Sequence, residues 1–85
     1  MSDLISAAAL RAAIKAHLVF HSHKPNAFVD VQLVPGGDQP VYVITIDVTL
    51  LPPVRALLED RLGRRCDYVE GSFLIYGNEV HQIVR

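Results

Sequence analysis

The chain contains one cysteine, Cys66, so an internal disulfide is impossible, and a lone thiol points to a reducing compartment rather than to a secreted scaffold. It has no excess of either charge: eight basic and nine acidic residues are interspersed, for a formal net charge of −1. Nucleic-acid binding draws much of its affinity from phosphate neutralisation, and this balance supplies none overall. No charge-free run reaches the roughly 18 apolar residues that a membrane span requires. The most apolar segment, Leu4–Phe20, is interrupted by Arg11, Lys15 and His17 and lacks a basic start. It reads as neither a signal peptide nor an anchor, and the expected location is the cytoplasm. Repeats, low-complexity tracts and a domain linker are lacking too.

What is present fits one domain, spanning residues 1–85. A core this small leaves stability marginal unless a disulfide, a metal or oligomerisation supports it. Apolar residues make up 51% of the chain, more than so small a core is expected to shelter. Some should therefore lie on the surface, where an apolar patch on a small domain marks a subunit or partner interface. The seven alanines between Ala7 and Ala27 offer a milder explanation, since they raise the count without forming a patch.

The elements follow from spacing. Ser2 or Asp3 can cap a helix running from Leu4 to about Phe20, with Pro25 as its limit. At about 100° per residue, Arg11, Lys15 and Ser22 define a wet side, Ile5, Ala9, Ala13, Ala16 and Phe20 the opposite one, and Leu4 and Leu18 fall nearer the wet side. Phe28–Val34 alternates, with Val29, Val31 and Leu33 on one face. Val41–Leu50 alternates too, with Tyr42, Ile44, Ile46, Val48 and Leu50 inward. Residues 35–40 are a turn by composition, so the two runs form an antiparallel hairpin in which Val34 faces Val41 and Asp30 faces Thr45. Pro52 and Pro53 open a second helix with Val54, Leu57, Leu58 and Leu62 as its stripe and Gly63 as its C-terminal cap. A short strand Cys66–Val69, a turn at Glu70–Ser72, a strand Phe73–Tyr76, a Gly77-Asn78 turn and a strand Glu79–Val84 complete the reading. The expected fold is α+β, in the order α-β-β-α-β-β with an optional fifth strand. Two helices would cover one face of a four- or five-stranded antiparallel sheet. That order resembles a cyclically permuted ferredoxin-like topology, which carries no function with it.

Several residue groups invite chemistry, and each has a plainer explanation. His17 and His21 are four apart on a helix and could share a metal, with His81 completing the set if its strand passes beneath. Two ligands are too few for a structural zinc, however, and His23 lies past the helix end. Packing and favourable placement at a helix C-terminus explain these histidines without a metal. Asp30 and Asp47 on the outward hairpin face could perturb one another for acid–base work, but a solvated sheet face is the commoner origin of such a pair. Arg61, Arg64 and Arg65 form a basic corner that could hold an anion or RNA. Pairing with Glu59, Asp60 and Asp67 accounts for it equally, and no aromatic stacking segment lies beside it. Cys66 follows the arginines, which could favour a thiolate, yet no base or oxyanion site accompanies it, and small buried filler is the simpler role. Gly36-Gly37 joins two strands instead of feeding a helix, unlike a phosphate loop.

No catalytic constellation is legible and no cofactor is implied. The outward hairpin face carries Phe28, Val34, Val41 and Val43 around Asp30, Thr45 and Asp47, a mixture suited to binding a protein. The expectation is a regulatory or inhibitory module that covers a surface of a larger partner protein and self-associates as a homodimer. Two rivals remain. One is a small enzyme or ligand-binding domain using His17, His21 and His81 with Tyr42 and Tyr76. The other is anion or RNA binding through Arg61, Arg64 and Arg65.

Overall fold

The computed structural model describes residues 5–20, 28–35 and 37–84, and Ser2, Asp3, Leu4, His21, His23, Gly36 and the side chain of Phe20 lie outside them. The chain runs α1 (Ala7–Phe20), β1 (Val29–Val34), β2 (Val41–Ile46), a 3-10 turn (Val48–Leu50), α2 (Leu51–Leu62), β3 (Ser72–Tyr76) and α3 (His81–Val84). This is an α+β fold built on one antiparallel sheet of three strands with β2 in the centre. No described helix is long and apolar enough to cross a membrane.

The hairpin forms as its alternation requires. Six consecutive pairs join β1 to β2, including Val34 opposite Val41 and Asp30 opposite Thr45. Tyr42, Ile44 and Ile46 are buried, and Val29 and Val31 meet them on the same face. β2 ends at Ile46 rather than Leu50, because the Asp47 carboxylate accepts a hydrogen bond from the Thr49 amide and caps the 3-10 turn. Val48 consequently points to solvent, while Leu50 returns to the core. α2 follows, with prolines in its first turn, Val54, Leu57 and Leu58 buried, and Gly63 closing it in the left-handed conformation. The Gly63 amide donates to the Glu59 carbonyl, as a C-terminal cap should.

The four- or five-stranded sheet is overturned: the described residues form three strands, so the permuted ferredoxin-like order does not apply. Glu79–Val84 is a turn and a short helix. Its apolar residues Val80, Ile83 and Val84 are spaced three and four apart, which is helical, and a strand would have needed an apolar residue in place of Gln82. Val80 and Ile83 are buried accordingly. Cys66–Val69 makes only a single bridge, between Val69 and Ser72. The Cys66 amide is already committed to the Glu59 carboxylate at 3.0 Å, which ties this segment to the end of α2. Glu70 and Gly71 both take positive φ, the signature of a tight hairpin turn of type I′.

The buried face of α1 also differs from the expectation. Leu10, Ile14 and Leu18 are fully buried, whereas Ala9 and Ala16 are exposed and Ile5 and Ala13 only half-buried. Three large side chains spaced four apart outweigh a stripe of alanines, because each fully buried leucine or isoleucine contributes about 1.5–3 kcal/mol. Arg11, taken as a marker of the wet side, lies along the sheet edge and donates from Nε to the Val29 carbonyl at 2.8 Å. The helix begins at Ala7, where the Ser6 hydroxyl accepts from the Ala9 amide. All buried apolar residues form one continuous core between the helices and the inner sheet face.

Candidate functional site

One face of the sheet is covered by helices; the other has no described element over it. Strand alternation sends every second residue there, and the register sets those residues in rows. Val34, Val41 and Tyr76 form one row, Gln32, Val43 and Leu74 the next, and Asp30, Thr45 and Ser72 the third. Leu74 is 56% exposed, Tyr76 48% and Val34 46%, and Phe28 and Val69 extend the apolar surface at its margins. Val41, Val43 and Thr45 are half-buried only by their neighbours, since they lie on the central strand. Thr45 and Ser72 share a hydroxyl–hydroxyl hydrogen bond of 2.9 Å, which leaves Asp30 as the charged member of the polar row.

Of the residues singled out on the outward face, Phe28, Asp30, Val34, Val41, Val43 and Thr45 are brought together. Asp47 stands one step past the end of β2, opposite Phe28, and its carboxylate serves the 3-10 turn. An acid–base pair with Asp30 therefore has no geometric support. The residues that sequence reasoning did not assign to this face are Ser72, Leu74 and Tyr76 of β3, and Val69, which is bridged to Ser72. Their alternation was legible in Ser72–Tyr76, with Phe73 and Ile75 inward. Which strand they would pair with was not.

A hollow of about 250 Å³ marks one rim of this face, lined by Arg64, Asp67, Val69, Ser72, Leu74 and Tyr76. Arg64 is held there by a bidentate pair with Glu79, Nε to Oε2 at 2.6 Å and Nη2 to Oε1 at 2.8 Å. The guanidinium beside it holds the Glu79 carboxyl below the ordinary carboxylate range, helped by the Tyr76 amide and opposed by partial burial. Arg64 thus has a partner outside the set Glu59, Asp60 and Asp67. Arg61 faces a different surface, a hollow of about 400 Å³ between the helices that it shares with Ala13, Ala16, His17 and Leu57. Arg61 and Arg64 thus line different surfaces, and the three arginines form no single basic corner.

The other candidate groups are dispersed as well. His17 sits in the helical layer and His81 opens α3 as an exposed residue, not on a strand beneath α1. Among the described residues, no group of three histidine, cysteine or acidic side chains is placed to hold a metal. Tyr42 and Tyr76 lie on opposite faces of the sheet. Tyr42 is buried, its hydroxyl donates to the Ile5 carbonyl, and burial pushes its pKa up. Cys66 is buried, and burial raises its thiol pKa despite the nearby Arg64 cation, the opposite of an activated nucleophile.

No protein-family model, curated protein or solved structure matches the chain.

Proposed function

We propose that this protein is a binding module whose open sheet face docks on a larger partner protein, acting as a regulator or inhibitor by covering the surface it occupies. The observation that supports this reading is the pair of rows Val34–Val41–Tyr76 and Gln32–Val43–Leu74, five apolar side chains of six on a face that no described element covers. Water contact with such a patch is unfavourable, and its removal supplies association free energy in proportion to the area hidden. Asp30, Thr45 and Ser72 give the patch a polar border, the arrangement of a contact with a dry centre and a wet rim.

Size decides between a foreign partner and a second copy. Three strands about 4.8 Å apart and five residues rising about 3.4 Å each define a flat area of roughly 250 Å². A standard stable interface hides about 800 Å² on each side. A larger partner can extend past the rim onto Phe28, Val69 and the Glu70–Gly71 turn. Two copies meeting only through the flat face cannot, so homodimerisation through it should be weak. Sedimentation equilibrium up to millimolar concentration, with wild type and Val43→Glu, tests the self-association part. Weak association that the substitution abolishes supports it; equal association of both proteins removes the sheet face from the dimer.

A further inference from the structure

The two edges of the sheet are treated differently. Along β1, the Asp47 amide donates to the Phe28 carbonyl, which sets the phase of the ladder: Asp30, Gln32 and Val34 bond toward β2. The amides and carbonyls of Val29, Val31 and Leu33 therefore point away from the sheet. Arg11 Nε meets the Val29 carbonyl at 2.8 Å, and no described backbone group pairs with Val31 or Leu33. At the opposite edge, Ser72 exchanges two backbone hydrogen bonds with Val69, at 2.9 and 3.0 Å, and the Tyr76 amide donates to the Glu79 carboxylate. Only Leu74 is left open on β3. β1, moreover, has no proline, lysine, glycine or bulge to blunt it.

Charge indicates what the open edge would accept. Arg11 lies over it, and Lys15, one helical turn on, projects from the same flank of α1. Neither is paired with a described carboxylate. A strand laid along this edge passes beside both cations, which favours an acidic segment over a basic or neutral one. We propose that the β1 edge is a docking site for an extended acidic segment of a partner protein, which adds as a fourth strand beside Val29, Val31 and Leu33 with its carboxylates toward Arg11 and Lys15. Main-chain bonds to Val31 and Leu33 would give affinity, and the two cations would select the sequence. The site is distinct from the open sheet face, and neither depends on the other.

The test uses an end-capped heptapeptide alternating valine and glutamate, titrated into the isotope-labelled full chain and followed by amide shifts. Shifts should concentrate at Val29–Leu33 and around Arg11 and Lys15. Replacing the peptide's glutamates by lysine, or Arg11 and Lys15 by glutamine, should weaken binding about tenfold, the effect of one or two exposed ion pairs. Methylating the peptide amides on the side that faces β1 should abolish it. Val43→Glu should bind the peptide as wild type does, which separates this site from the sheet face. The proposal is overturned if millimolar peptide leaves the Val31 and Leu33 amides unmoved, or if the lysine or methylated peptides bind equally well.

Discussion

Cys66 and Glu79 show how neighbours set chemistry at the level of single residues. The Cys66 thiol sits below solvent reach in the core, and the cost of burying a thiolate outweighs the attraction of Arg64. Alkylation by a small thiol reagent at neutral pH should be slow in the native protein and fast in denaturant; rapid native labelling would show that the thiol is accessible and activated. Glu79 is charged in a bidentate pair, and its folded pKa lies below the ordinary value of 4.5. The stability it adds is therefore present above that value and lost as pH falls through the lowered one. Because Arg64 is 39% exposed, the pair contributes about 1 kcal/mol or less. Urea unfolding of Glu79→Gln should show that deficit at pH 7 and a progressively smaller one as the pH is lowered below 4.5. A pH-independent difference would mean that shape, not charge, is what Glu79 supplies. At this scale the burial of Cys66 was legible in its small apolar side chain, whereas the partner of Arg64, 15 residues away, was not.

Elements were more legible than contacts, in proportion to how much each depends on local pattern. The β1–β2 register followed from alternation and turn length, and the α2 stripe and Gly63 cap followed from spacing and backbone preference. The errors came where two periods competed. Val80, Ile83 and Val84 obey helical spacing but sit after a Gly-Asn pair that suggests a hairpin, and four residues are too few for periodicity to decide. On α1, Arg11 is exposed as its charge predicts, but Leu10, Ile14 and Leu18 set the buried face instead of the alanines. Gly77 has a structural reason separate from the expected turn. A Cβ there would lie 3.0 Å from Pro40 Cγ and 3.3 Å from the Pro40 carbonyl oxygen, which accepts the Gly77 amide. Gly77→Ala should cost about 1–3 kcal/mol, since something well packed must shift. Thermal unfolding that matches wild type would show that the end of β3 relaxes freely.

At the scale of the whole molecule, the radius of gyration is 12.1 Å, against about 12 Å for a fully compacted chain of this length. The bare sheet face is therefore not a product of loose folding. With three strands, α1 and α2 suffice to cover one side, and α3 closes the helical layer instead of adding to the sheet. Composition made this outcome partly legible: a chain 51% apolar leaves Leu74, Tyr76, Val34, Val69 and Phe28 exposed. The face was expected to belong to the hairpin alone, and β3 widens it. That the open face contacts a partner protein is the claim on which the functional reading stands. Its most direct measurement is paired affinity capture from the native host with wild type, Val43→Glu and Ala12→Glu, the last placing an equal charge on the exposed helical side. The account expects a protein retained by wild type and Ala12→Glu to be lost from Val43→Glu with all three proteins equally folded. Recovery of the same proteins by all three would contradict it.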